Sequence, residues 1–505
     1  MNSHHLRNVF SLEVNENRDV NPFETRCNPY IDRSETDYNA LYESLPEDLF
    51  QLDDSPIAYI RKWRRLLVLL LVKKEGVTPP FSLWIEHFEL LLVQTRWANL
   101  QLVNVYKGLV GLLLNIQSKD PIICQFTSGA CPLEVDGEWP LGEIPHPIFH
   151  AELGLVLCLY GKLAEDTTYI TVAEKITEWQ IKTLDHEYNP FLGLYSYEGE
   201  VVFEELLISN YSLFNTVARL CHHPDLAFLA DRQLEHFMKM RSKDPWEIPS
   251  FYRILNQWFS SFPLLDSVLY KSSENFIDKD LALVGLRTNN TSTIASLYGG
   301  KSGMGCFHHG DVQIVSYGTQ HSSLGDCSGF GLEGARRMLA HQIKAIEASN
   351  GEFNLIGVAR LAGSQKESSL YKISPYKGTD LSGVWMETEI SYKNECLSID
   401  TNFLKLFDID LSFTLFVKAS ECFIEGKEAI KPRSLKHYKV DAQRVLLKGQ
   451  TSAIILDVHQ KSEMHIIPLG GGNNFWGADF LIAYICDPLQ SRNKWTITTM
   501  DHSDS

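Results

Sequence analysis

The sequence predicts an α+β multidomain chain, with helices in the first part and an antiparallel β-sandwich in the second. Two observations carry that expectation. Apolar residues recur with a helical period up to about Tyr270 and with a period of two from about Leu281. The strand-like stretches after Leu281 also lack the intervening helices that a parallel sheet would need as crossovers.

Residues 1–36 are polar, rich in Asn, Arg and Glu, and read as a loosely held lead-in. A helical domain follows over 37–275. Ser55-Pro56 opens a helix with a capping serine and proline at the first helical position. Pro80-Phe81 opens another, with Leu83, Trp84, His87, Phe88, Leu91 and Leu92 on one stripe. Leu100, Val103, Leu109, Leu112 and Leu113 continue the pattern, and further helices are expected over Phe149–Leu163, Tyr169–Leu184, Phe203–Leu220, Leu226–Met240 and Phe251–Tyr270. The change of domain is expected between Lys271 and Leu281, in the polar stretch KSSENFIDKD.

The sandwich domain is expected over 281–500. LALVGL, TSTIASLY, DVQIVSYG, FNLIGVARLAG, GVWMETEIS, CLSIDTNF, IDLSFTLFVK, SAIILDVH, EMHIIPL and FLIAYIC alternate as strands, with Gly, Asn and Ser clustered between them. EGARRMLAHQIKAIEA, from Glu333 to Ala348, reads as the one helical insert. In GCFHHGDVQIVSYG, a strand is expected to begin near Asp311, with His308 and His309 in the turn before it or at its first residues.

Composition narrows the function. An apolar content of 44% supports large packed cores rather than a disordered chain. A net charge of −17 argues against nucleic-acid binding and against docking on an anionic membrane, although one local basic groove is compatible with it. The ten cysteines include no CxxC pair, so reduced, mostly buried thiols are expected rather than a zinc ribbon or a disulfide scaffold. Adjacent side chains on a strand diverge, so no metal is expected at Cys306, His308, His309 or His321, and no cofactor is expected elsewhere. The N-terminus lacks the order of a cleaved signal peptide. The longest apolar run, Leu66–Val72, falls short of the about 20 residues that span a bilayer. A cytoplasmic protein is the expectation, with export by a route without a cleaved signal left open. The sequons at Asn289 and Asn290 are then idle.

Helices followed by sandwich strands resemble the layout of the two-domain polysaccharide lyases, the heparinase II/III-like and chondroitin/alginate lyase-like group. The resemblance covers most of residues 40–500 and is one of layout. It implies an incomplete α/α toroid before the sandwich and a polysaccharide as partner. Ser209-Asn210-Tyr211, read as heading the inner helix SNYSLFNTVARL, adds to it, because those lyases carry an Asn at a comparable helix start. In uronate β-elimination the carboxylate must be neutralised before the neighbouring carbon loses its proton. An amide at Asn210 suits the first task, and Tyr211 or His150 the proton transfer, with His309 in support from the β domain. The same residues read equally as a plain cap and a packed tyrosine.

Three loops supply aromatic and polar groups for sugar stacking: Arg96, Trp97 and Asn99 in TRWANLQ, Trp139 in DGEWPLGEIPHP, and Tyr195 and Tyr197 in NPFLGLYSYEG. His321 lies in a long Gly/Ser-rich stretch of the length that functional loops take. His150 and Glu152, two apart on a helix, face different ways and form no metal pair. Two other readings stand beside the lyase: an inactive scaffold of the same layout that binds a glycan or a protein partner, and a glycoside hydrolase, whose paired carboxylates the many acidic residues neither support nor exclude.

Overall fold

The structure is a computed structural model. It describes residues 147–191, 200–241, 255, 268–270, 274–279, 281–297, 303–321, 337–364, 379–405, 411–424, 429–434, 436–460, 463–469, 477–486 and 492–501. Its helices, α1 (Pro147–Leu163), α2 (Thr167–Lys182), α3 (Glu200–Cys221) and α4 (Pro224–Arg241), precede seventeen strands. The coarse expectation of an α+β chain, helices before antiparallel sheets, therefore holds. The helices expected before residue 147, the lead-in and the apolar run Leu66–Val72 lie outside the described residues. No helix among the described residues is long and apolar enough to cross a membrane.

The chain divides into two compact units. One takes Phe149–Thr177 and Leu207–Tyr270 among its segments; the other takes Glu178–Leu206 and everything from Lys271. Helices α2 and α3 each change unit along their length.

In the helical unit, local chemistry sets the helix ends. Asp166 caps α2 by accepting the Thr168 N–H at 2.9 Å. Pro224 stands at the first position of α4, where its missing N–H costs nothing. Gly154 brings α1 against its neighbours, since a Cβ there would lie 2.7 Å from Ile176 and 3.0 Å from Leu213. Helix α3 is buried from Leu206 to Ala218: Leu207, Ile208, Leu213, Phe214 and Val217 are inaccessible, as are Ser209, Asn210 and Thr216 between them.

The β unit is two antiparallel sheets. The nine-stranded sheet runs β1-β2-β3-β4-β5-β10-β16-β15-β12, and the eight-stranded sheet runs β11-β13-β14-β17-β9-β8-β7-β6. The strands are β1 (Glu274–Asp278), β2 (Leu283–Arg287), β3 (Thr291–Ser296), β4 (Gly305–His309), β5 (Val312–His321), β6 (Arg337–Ser349), β7 (Glu352–Ser364), β8 (Thr379–Lys393), β9 (Cys396–Lys405), β10 (Leu411–Lys418), β11 (Glu421–Ile424), β12 (Tyr438–Asp441), β13 (Arg444–Lys448), β14 (Ser452–Val458), β15 (Glu463–Pro468), β16 (Phe480–Ile485) and β17 (Arg492–Asp501). One core joins the sheets: Phe307, Tyr317, Phe413 and Tyr484 from the first meet Tyr392, Leu456, Trp495 and Ile497 from the second. Phe413 stacks on Trp495 with centroids 4.0 Å apart. Asn350 and Gly351, both at positive φ, make the tight turn from β6 to β7 that an Asn-Gly pair favours. Among the described cysteines all are free, with Cys158, Cys306, Cys422 and Cys486 buried.

The expected helical insert is corrected here. Arg337–Ser349 is β6, the edge strand of the eight-stranded sheet. Its helix-forming composition is overruled by pairing with β7 along its length. Register shifts between Ala340/Gln342 and Ile343/Ala345 add extra residues to the strand. They let Ile343 and Ile346 both pack on the core despite a spacing of three, which mimics a helical stripe in the sequence.

Candidate functional site

Two groups of buried polar side chains stand out, one in each unit. The first is built on α3. Its reading as a helix headed by Ser209 is corrected: α3 starts at Glu200, so Ser209, Asn210 and Tyr211 lie in its middle. Asn210 is 0% exposed and Tyr211 8%. Ser209 caps nothing; its hydroxyl donates to the Glu152 carboxylate on α1 at 2.6 Å, with both residues buried. The Asn210 amide Nδ2 reaches Gln233 Oε1 on α4 at 3.5 Å, the outer limit of a hydrogen bond, and its buried Oδ1 has no partner among the described residues. Burial pushes the Tyr211 phenol above its ordinary pKa, so it stays protonated and can donate rather than accept. His150 is buried on α1. The polar residues Glu152, Ser209, Asn210 and Gln233 thus come together from three helices.

The second group answers what the FHHGD stretch does. His308 and His309 sit on β4 rather than in a turn, which corrects that expectation. The strand points them to opposite faces. His309 shares its face with Phe307 of the inter-sheet core, and its Nδ1 lies 2.8 Å from Thr291 Oγ1. His308 points the other way, with Nδ1 3.1 Å from Asp185 Oδ2 and its ring 4.9 Å from that of Phe191.

Asp185 comes from the loop after α2. Its Oδ1 accepts the N–H groups of Glu187 and Asn189 at 2.9 and 2.8 Å, which shapes the loop and aims Oδ2 at His308. Burial alone would raise Asp185, but the His308 hydrogen bond and charge and the Asn189 N–H hold it below its ordinary pKa. Burial lowers His308 and outweighs the opposing pull of Asp185. Next in the loop, His186 donates its backbone N–H to Ser292 Oγ at 3.2 Å. Its Nδ1 lies 3.0 Å from the same hydroxyl and its Nε2 3.1 Å from Gly310 O. Since Gly310 O can only accept, Nε2 carries the proton and Ser292 donates to Nδ1.

Two further anchors fix the same segment. Arg287 of β2 donates to the Ile181 and Leu184 carbonyls at 2.8 and 3.3 Å, capping the C-terminal end of α2 with positive charge. Trp179 Nε1 donates to Asp278 at 2.8 Å. Asp311 completes the stretch on another side. Its carboxylate accepts the backbone N–H groups of Gln450, Thr451 and Ser452 and lies 2.6 Å from Ser452 Oγ, tying the β4–β5 turn to the β13–β14 turn. Burial opposes ionisation, but the Ser452 hydroxyl and those N–H groups hold Asp311 at about 2. Gly310, at φ 52, is needed where a Cβ would sit 2.6 Å from Ser452 Oγ.

The hydrogen bonds of Asp185, His186, Arg287 and Asp311 in this second cluster tie separate segments of the chain together, and its chemistry is attachment. Among the described residues no three His, Cys, Asp or Glu side chains converge as metal ligands. Asp185, His186, Arg287 and Gln233 do not stand out in the sequence, and Glu152 is considered there only as a rejected metal partner of His150; only the DHEYNP turn signature hints at the first two. Arg96, Trp97, Asn99, Trp139, Tyr195 and Tyr197 lie outside the described residues. His321 ends β5, and only its backbone is described.

No protein-family model matches the chain, and no curated protein matches it. Among solved structures the chain is similar to the heparan sulfate lyase HepC from Pedobacter heparinus, at 10% identity and a TM-score of 0.45, over 96% of this chain and 73% of that one. It is similar to a heparinase III, the BT4657 gene product, at 9% identity and a TM-score of 0.47, over 95% and 75%. A Paenibacillus xanthan lyase is similar at 10% identity and a TM-score of 0.34, over 96% of this chain and 57% of that one.

Proposed function

We propose that this chain is a carbohydrate-active protein on the toroid-and-sandwich layout, and that it binds a glycan without cleaving it at Asn210. The helical domain over 37–275 is the incomplete toroid of this reading, and 281–500 is its sandwich. The observation that carries it is the state of Asn210. The residue is buried in mid-helix rather than at a rim, which favours a scaffold over an eliminating site. Its buried Oδ1 accepts no hydrogen bond among the described residues, and a sugar hydroxyl can fill that valence only once the helices around it open.

Eliminative cleavage of a uronate chain is the second reading. It is favoured by the adjacency of the Asn210 amide and the protonated Tyr211 phenol on one helix. One experiment separates the two. The purified chain is incubated with chondroitin, hyaluronan, heparan sulfate and alginate, and both retention of the polymer and ultraviolet absorbance of unsaturated uronate ends are followed. Retention without new absorbance, weakened in Asn210→Ala, is expected. Absorbance that grows with time and disappears in Asn210→Ala establishes the lyase instead. No retention of any polymer rejects the glycan reading in favour of a scaffold for a protein partner.

A further inference from the structure

The four-residue strand β12 forms one edge of the nine-stranded sheet and pairs only with β15. Val440 of β12 and Met464 and Ile466 of β15 face the core. The alternate residues, His437 just before β12 with Lys439, and Glu463 and His465 on β15, therefore share the outer face. There His437 Nε2 lies 2.8 Å from His465 Nδ1, with ring centroids 4.9 Å apart. On its far side His465 Nε2 lies 2.7 Å from Glu463 Oε1, and Lys439 holds the other Glu463 oxygen at 2.7 Å.

The geometry points to a surface site for a divalent transition-metal ion, Cu2+, Ni2+ or Zn2+, between His437 Nε2 and His465 Nδ1. The Glu463 carboxylate can only accept from His465 Nε2–H, which fixes the tautomer and leaves Nδ1 with its lone pair aimed at His437. A carboxylate behind a histidine is the usual way a ligating imidazole is oriented and made more basic. Imidazole nitrogens suit these three metals. With metal–nitrogen bonds of about 2.0–2.1 Å, two ligands at angles between square and tetrahedral stand about 2.8–3.4 Å apart. The observed separation is at the lower end of that range, and exposed His437, outside the strand, can rotate to open it. On binding, the His437 proton moves from Nε2 to Nδ1, so the neutral pair takes the ion without losing a proton. Water completes the coordination, since no third protein ligand converges among the described residues. The ion then clips the edge strand to β15 and raises the stability of the folded form.

The test is calorimetric titration of Cu2+ alone into the full chain, read as a difference because the sequence has 17 histidines. His437→Ala and His465→Ala should each lose one equivalent, and Zn2+ should raise the thermal midpoint of the wild type but not of His437→Ala. Glu463→Gln should keep the stoichiometry with about tenfold weaker binding at this site. His459→Ala, an exposed histidine on the other sheet, should bind as the wild type does. His437 is exposed, so its variant folds even where His465→Ala does not. An isotherm of His437→Ala that superimposes on the wild type overturns the site, and an unchanged affinity in Glu463→Gln overturns the role given to the carboxylate.

Discussion

Asp185 and Asn210 are both wholly buried, each in a different unit, and their surroundings could hardly differ more. Asp185 accepts two backbone N–H groups with one oxygen and faces His308 with the other. Asn210 makes one contact at the limit of hydrogen bonding and leaves its carbonyl oxygen empty-handed. A polar group whose valences are all met by the fold has little left for a ligand. One that is desolvated and unmet costs stability, and such a cost is most often tolerated where something else is to be bound. The comparison separates attachment from recognition without appeal to residue type.

The comparison can be broken first at its strongest point. Asp185→Ala leaves His308 Nδ1 and the Glu187 and Asn189 N–H groups without their acceptor and should cost about 3 kcal/mol in urea unfolding; a loss under about 1 kcal/mol would show that the loop is not anchored there. The same pair has a pH signature. His308 is depressed below its ordinary 6.5, so the unfolded chain takes up that proton first, and stability should decline as pH falls below about 6.5. Asp185, also depressed, adds a second decline below 3.8. His308→Asn should flatten the first decline, measured as the thermal midpoint at pH 7 and pH 5. Next in size, Ser209→Ala removes a donor from buried Glu152 and should cost about 1–3 kcal/mol. Asn210→Ala should cost only about 1 kcal/mol, because the bond lost is long, while glycan retention falls. A larger loss of stability, with retention unchanged, would make Asn210 structural. Smallest of all, Arg492→Ala breaks a solvent-screened pair with Asp400 and should leave the urea midpoint nearly unchanged.

Much of the fold is legible in the sequence because it is local. The periods of α1 to α4 place each helix to within a few residues of its observed ends, and the alternating stretches from LALVGL to FLIAYIC all fall on strands. What escapes is non-local. RMLAHQIKAIEA has the composition of a helix and becomes a strand because β7 lies beside it. Ser209 looks like a cap because its true partner, Glu152, is on another helix. His308 looks like a turn residue, or a metal ligand, until Asp185 arrives from a segment more than a hundred residues earlier. The candidate site suffers most: each of its polar residues takes its meaning from a partner on another element, and no periodicity records that.

The position of β17 has a consequence for how the protein is made. This strand, the last in chain order among those described, lies inside its sheet between β14 and β9, and it carries Trp495, which stacks on Phe413. During synthesis β6 to β9 and β11 to β14 leave the ribosome well before it. Until residues 492–501 emerge, the eight-stranded sheet exists as two halves, each with an unpaired backbone edge. The nascent chain is therefore exposed to wrong pairing until that strand is made, and a pause just before it should make the chain dependent on chaperones.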